Sequence, residues 1–213
     1  DTSYDDFDRR NYLLGIHSSD CETRSYYGCK NLSEVSEREM KVILIMVSSV
    51  DGKITKWVDG DSFSWTSKED QKQFQAVVRK SNLIVMGSKT YDLVRPKPKK
   101  GVLRVVLTSN PRRYGTLTVP GQLEFTNESP RKLVNRLSSQ GFKQLLLVGG
   151  GAVNASFFKA GLVDELWLTI EPKIFGIGKM LVSESELDVG LQLVSIERLN
   201  KRGTLLIEYK ILR

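Results

Sequence analysis

The sequence predicts an α/β domain: a mostly parallel sheet with an antiparallel hairpin closing one edge. Three observations carry this. From residue 40 onward, short apolar runs alternate with stretches of helical spacing. The turns that lead from strand to helix carry glycine or an N-capping residue. The last two apolar stretches, by contrast, face each other across Lys201-Arg202-Gly203 with no helix between them. Alternation implies right-handed crossovers, and crossovers imply parallel strands covered on both faces.

Each element follows in order. Val42 to Val47 reads as a buried strand. Ser67-Lys68-Glu69-Asp70 offers an N-cap serine with an acid three residues on, and Phe74, Val77 and Val78 follow at helical spacing. Leu83 to Met86 is a short strand, followed by Gly87-Ser88-Lys89-Thr90 and a brief helix. Val102 to Leu107 and the weaker Leu123 to Thr126 are the next strands. Ser129-Pro130 starts a helix through Leu133, Val134 and Leu137 that stops at Gly141. Leu145 to Val148 is a strand, Gly149-Gly150-Gly151 a turn, and Ala152 to Ala160 a helix ended by Gly161. Glu165 to Ile170 is a strand, and Leu191 to Leu199 with Leu205 to Leu212 makes the closing hairpin.

Residues 1–39 read differently. They are polar, lack a sustained period, and hold both cysteines and the only histidine, so they are expected to form an appended arm to a single domain at 40–213. His17, Cys21 and Cys29 include no Cys-x-x-Cys pair, and no metal site is expected there. Two cysteines in 213 residues also argue against a disulfide scaffold. The longest apolar run, Val42 to Val47, is far short of a membrane span, and no secretory leader is recognisable. A cytoplasmic protein is expected.

Charge is unevenly placed. Residues 1–40 hold nine acids and five bases, and the remainder holds 27 bases against 16 acids. A body at +11 attracts anions: nucleic acid, anionic lipid or a phosphorylated small molecule. The densest cluster, Arg95-Pro96-Lys97-Pro98-Lys99-Lys100, has no interleaved aromatic and reads as a solvated loop, not a base-stacking platform.

Ligands of open α/β sheets bind beyond the carboxyl ends of the strands, where helix N-termini converge. Val148-Gly149-Gly150-Gly151-Ala152 suits this, because glycines admit close backbone approach and the next helix presents free N–H groups. It matches neither GxGxxG nor the P-loop. A tight turn whose glycines only permit close helix–strand packing is the lesser alternative. Gly87-Ser88-Lys89-Thr90 offers two hydroxyls and a lysine to a phosphate, although Ser88 also reads as an ordinary N-cap. Thr108-Ser109-Asn110, with Arg112 and Arg113 behind it, suits a 2′-phosphate. Ser48-Ser49-Val50-Asp51-Gly52-Lys53-Ile54 places a carboxylate and an ammonium at a strand exit, either for a polar heterocycle and proton transfer or as a plain Asp-Gly turn. Trp65 and Thr66 precede a helix and could line a cleft. With the single histidine in the arm and no carboxylate cluster, a cofactor enzyme is the better enzyme hypothesis.

Val50-Asp51-Gly52-Lys53-Ile54, Val85-Met86-Gly87-Ser88-Lys89-Thr90-Tyr91, Leu147-Val148-Gly149-Gly150-Gly151, Gly161-Leu162-Val163-Asp164-Glu165-Leu166 and Glu171-Pro172-Lys173-Ile174-Phe175-Gly176 recur in this order in one superfamily. Over about residues 41–212 the chain resembles the dihydrofolate-reductase-like superfamily, specifically the pyrimidine reductase of riboflavin biosynthesis. The resemblance implies a three-layer fold, NADPH as cofactor, and reduction of a ribosylaminopyrimidine phosphate to its ribityl form. It implies that Gly149, Gly150, Gly151 and Ala152 hold the pyrophosphate, and that Gly87, Ser88, Lys89 and Thr90 face the adenosine side. Ser109 would lie near the 2′-phosphate and Phe175 and Gly176 near the cofactor. Asp51 and Lys53 would act catalytically beside the nicotinamide, with Ser49, Trp65 and Thr66 toward the substrate.

The chain departs from the riboflavin reductases in two places. Val148 stands where they usually have Glu, and Asp92-Leu93-Val94-Arg95 with the basic proline loop replaces their ribose-phosphate motif. Gly-Ser-Lys-Thr-Tyr leans toward folate reductases, whose acid on the first helix finds no clear counterpart in these motifs. The expectation is an NADPH-dependent reductase of a pyrimidine or pterin-like small molecule, a homodimer that pairs along the closing hairpin. A dihydrofolate or pterin reductase and a non-catalytic polyanion-binding protein are the alternatives.

Overall fold

The computed structural model describes residues 40–57 and 62–213. The expected arm, with His17, Cys21 and Cys29, lies outside the described residues. Twelve regular elements follow one another: β1 (Lys41–Ser49), α1 (Lys68–Lys80), β2 (Leu83–Gly87), α2 (Ser88–Val94), β3 (Leu103–Leu107), β4 (Leu123–Thr126), α3 (Pro130–Ser139), β5 (Gln144–Leu147), α4 (Gly151–Lys159), β6 (Glu165–Glu171), β7 (Leu191–Arg198) and β8 (Leu205–Ile211). Two short 3-10 turns, Ser62–Ser64 and Pro111–Leu117, carried no periodic signal.

One eight-stranded sheet runs in the order β4-β3-β2-β5-β1-β6-β8-β7. Pairing is parallel from β4 through β6 and antiparallel from β6 through β8 to β7, the predicted mixed architecture. Alternation along the central strands splits the core into two layers. Leu133, Val134 and Leu137 of α3 and Phe157 of α4 pack with Val42, Leu44, Val85 and Leu147 on one face. On the other, Phe74, Val77 and Val78 of α1 and Tyr91 of α2 pack over Ile43, Ile45, Ile84 and Leu146. These are the three layers.

Capping follows the sequence only in part. The Ser67 hydroxyl accepts from the Asp70 N–H at 3.2 Å, as the spacing predicts. Asp70 does not reach back, however; the Ser67 N–H donates instead to Oε1 of Glu171 at 2.6 Å. The other oxygen of Glu171 accepts from the Thr204 hydroxyl at 2.8 Å. One buried carboxylate thus joins the end of β6, the start of α1 and the closing hairpin. Ser129 stands at the N-cap of α3 without a side-chain bond, so Pro130 is what starts that helix. Ser88 is the first residue of α2 and not its cap, which is Gly87. Among the described residues no helix is long and apolar enough to cross a membrane.

β7 is exposed along its whole length. Leu193, Val194 and Ile196 are 54%, 61% and 58% exposed, and a bulge at Leu193/Ser195 interrupts the pairing with β8. An apolar edge strand with unpaired backbone groups is a template for another strand. We propose that a second copy covers it. Light scattering at micromolar concentration is expected to give twice the 24.1 kDa chain mass. Lysine at both Val194 and Ile196 is expected to return it to the monomer, and a wild-type monomer would refute the pairing.

Candidate functional site

Parallel register brings the carboxyl ends of β2, β5, β1 and β6 to one edge of the sheet. There the two glycine turns touch: the Gly87 N–H donates to the Gly149 carbonyl at 2.8 Å. The three consecutive glycines are not equivalent. Gly149 has φ +84, and a Cβ on it would lie 2.8 Å from the Met46 sulfur. A Cβ on Gly151 would lie 2.5 Å from the Met180 carbonyl oxygen. Both are occupied by packing within the protein. Gly150, at φ −78, has only the Thr90 hydroxyl nearby, 3.5 Å from where its Cβ would stand. It is the N-cap of α4 and supplies no side-chain bond, so the helix's first N–H groups lack a side-chain cap. The Gly149–Gly150 peptide is cis.

A second cluster forms around β1. The Asp51 carboxylate accepts from the Ser49 hydroxyl at 2.5 Å and from the Phe175 and Gly176 N–H groups at 3.2 and 2.8 Å. The Ser49 bond and these amides hold its pKa below the ordinary carboxylate value. Asp51 therefore anchors the 172–183 segment as a carboxylate. Ser49, expected toward the substrate, is buried, and its hydroxyl is occupied by Asp51 and by the Lys53 N–H, 3.0 Å away. Trp65, also expected toward the substrate, is buried edge-on against Phe175 at 5.1 Å, and its indole Nε1 is buried without a hydrogen-bond partner. The Lys53 ammonium lies 2.9 Å from the Met180 sulfur.

The 172–183 segment ties the two clusters together. It bonds to the loop after β1 through Ile54 N–H to Lys179 and Leu181 N–H to Gly52, and to α4 through Ser183 N–H to Gly151.

Between α1, α2 and the sheet runs a cleft of about 220 Å³. Of the residues singled out from the sequence, Thr66, Thr90 and Gly150 line it. Val148, where the riboflavin reductases usually have Glu, lines it too, so that stretch of wall is apolar. Ser88 is engaged by Tyr114, while Lys89, Ser109 and Ala152 are exposed away from the cleft.

The sequence reading missed Asp70. It is buried on the cleft wall, and the hydroxyls of Thr169 and Thr66 bond its carboxylate. Burial, with the charge of Glu171 adding to it, raises its pKa to about 6. It is an acid on the first helix, the feature for which the motifs showed no counterpart. The usable signal was spacing: Asp70 shares a helical face with Phe74, Val77 and Val78, so it points inward.

Comparison with known proteins agrees with this architecture. The family described as the RibD C-terminal domain matches residues 40–205. The protein YyaP of Bacillus subtilis (strain 168) is 24% identical over 170 residues, covering 74% of this chain and 88% of YyaP. A pyrimidine reductase-like protein from Corynebacterium diphtheriae superposes with a TM-score of 0.67 at 18% identity, covering 83% of this chain and 93% of that one. A diaminohydroxyphosphoribosylaminopyrimidine deaminase/5-amino-6-(5-phosphoribosylamino)uracil reductase from Thermotoga maritima gives 0.65 at 20% identity, and the match covers 83% of this chain and 58% of that protein.

Asp70 makes stability depend on pH in a definite direction. Its folded pKa of about 6 exceeds the ordinary 3.8, so between those values the folded state holds the extra proton. Stability falls as pH rises through that window and stays lower above it. At 1.36 kcal/mol per pKa step the loss is at most about 3 kcal/mol. Asp70→Asn is expected to melt higher than wild type at pH 7.5 and to flatten the profile between pH 4 and 6. Parallel melting curves for the two proteins would contradict this.

Proposed function

Because the chain belongs to the RibD C-terminal domain family, we propose that it is an NADPH-dependent reductase of a pyrimidine or pterin-like substrate, of the 5-amino-6-(5-phosphoribosylamino)uracil reductase type in riboflavin biosynthesis. The observation that carries this is Gly150: it is the one glycine of three that packing leaves open, at an uncapped helix start on the cleft. A pyrophosphate fits there, because the first N–H groups of α4 and the positive end of its dipole favour an anion. NADPH, when bound, supplies a hydride to the ring.

The chain's own groups divide the rest of the work. Gly150 and Thr90 seat the pyrophosphate, and Ser109 with Arg112 and Arg113 takes the 2′-phosphate. Asp51 holds the 172–183 segment against both clusters and thereby shapes the nicotinamide end. Met46, Val47, Ile54, Phe74, Met86 and Val148 exclude water from the ring. Asp70, poised near neutrality, holds a proton at its carboxyl group or accepts one from a ring N–H.

Asp70 also supports a second reading. A carboxylate beside an apolar cleft suits the cyclic amidine of a 2-amino-4-oxo ring, which is a pterin and not a uracil. An NADPH-oxidation assay with the ribosylaminopyrimidine phosphate, dihydrofolate and a pterin aldehyde separates the two. Heparin or DNA retention that falls with salt, without any NADPH response, would support the polyanion-binding alternative instead.

Two glycine variants test the cofactor seat. Gly150→Ala should fold normally, since its methyl group meets only an ordinary contact, yet weaken NADPH about tenfold or more by pressing on the pyrophosphate. Gly151→Ala should lower the melting temperature, because its methyl group collides with the Met180 carbonyl. Unchanged NADPH affinity in Gly150→Ala would remove the cofactor from this turn.

A further inference from the structure

The acid on the cleft wall has a second carboxylate behind it. Glu171 ends β6 two residues after Thr169, so both side chains project from the same strand face, the one covered by α1, about 7 Å apart. Thr169 bonds Asp70, while Glu171 is held against the start of the same helix. Both acids are buried, Asp70 at 6% exposure and Glu171 at 3%. Buried carboxyl groups packed at one helix start oppose each other's ionisation.

Glu171 is fixed from two sides. Its oxygens accept from the Ser67 N–H at 2.6 Å and from the Thr204 hydroxyl at 2.8 Å. Thr204 is itself buried and locked by Asn200, whose side-chain amide donates to the Thr204 hydroxyl at 2.9 Å and accepts from the Thr204 N–H at 3.2 Å. Asp70 and Thr169 line the cleft, whereas Glu171 stands outside its lining.

The other charges around α1 are placed elsewhere. Lys68, Glu69 and Lys72 on the helix itself are exposed. The Lys173 ammonium donates to the Trp65 carbonyl at 2.6 Å, and that of Lys53 lies 2.9 Å from the Met180 sulfur. β1 carries no charged residue after Lys41. Glu208 of β8 lies opposite Trp167, two residues further from the hairpin turn than Leu206, which faces Thr169. Arg104 lines the cleft from β3, four strands away from β6. Glu171 is therefore the charge set against Asp70.

We propose that Glu171 is a positioning residue for the proton of Asp70: fixed by α1 and the closing hairpin, its charge biases the neighbouring carboxyl group toward the protonated form. Burial favours the same form and is the larger influence, and Glu171 adds to it. Glu171 does this without touching a ligand, because it reaches the cleft only through Asp70. The closing hairpin thereby takes part in the site from outside it, since Asn200 and Thr204 hold the charge in place. That the Asp70 proton serves a reductase substrate rests on the reading above, whereas the coupling of the two carboxyl groups does not.

Carboxyl-carbon NMR of the full-length protein across the acid and neutral range reads both groups, with Asp70→Asn identifying the Asp70 signal. In wild type, Asp70 should titrate at about pH 6. Glu171→Gln keeps a hydrogen-bonding group for both Ser67 and Thr204 but removes the charge, and should bring that step down by at least about half a pH unit. Glu171→Asp, which keeps the charge on a shorter chain, should stay nearer to wild type. The pH dependence of NADPH oxidation should move with the Asp70 step. A second measurement needs no variant: in wild type the Glu171 signal should show an inflection at the pH where Asp70 titrates. An unmoved Asp70 step in folded Glu171→Gln, with or without a lower melting temperature, would overturn the proposal, as would a Glu171 signal that lacks the inflection. A shifted Asp70 step with an unshifted pH dependence of turnover would leave the coupling standing and overturn only the role given to Asp70 in the reading above.

Discussion

Everything at the candidate site depends on parallel pairing of β2, β5, β1 and β6. In a parallel set every strand ends on the same side, so the loops that follow are forced into one neighbourhood whatever their sequences. The pairing is stabilised by side chains with no solvent exposure at all: Val42 and Leu44 on β1, Leu83 and Val85 on β2, and Leu145, Leu146 and Leu147 on β5. Burying such side chains contributes on the order of 2 kcal/mol each. That layer holds Gly87 against Gly149 and lets the glycine turn meet α2. A register slip by one residue would exchange the two core layers and dissolve the edge where the cleft opens.

The fold was legible because it rests on local signals. Alternating runs, the Ser67 cap, Pro130 and the closing turn each report on a few neighbouring residues, and all twelve elements correspond to one of them. The Pro111–Leu117 turn escaped because its one buried side chain, Tyr114, owes its place to stacking on Phe125 at 4.6 Å, a contact between elements.

The site was legible at the level of turns and not of side chains. Sequence placed a glycine turn between β5 and α4, where the structure has one, but could not divide labour among three identical residues. That division depends on Met46 and Met180, which are distant in sequence from the turn. The surroundings of Trp65 were hidden for the same reason: its ring packs edge-on against Phe175, far along the chain. Asp70 was passed over because a charged residue on an amphipathic helix is ordinarily at the solvent boundary, although its spacing to Phe74, Val77 and Val78 put it on the apolar face.

The substitution of Glu171 for Asp70 at the start of α1 has a mechanical consequence. In an ordinary capping box one carboxylate both fastens the helix and carries the local charge, so protonating it loosens the fastening. Here the duties are separate: Glu171 secures the Ser67 amide, while Asp70 faces the cleft. The titrating group is thus not the one that fastens the Ser67 amide. Protonating Asp70 changes the polarity of the cleft wall without removing that fastening.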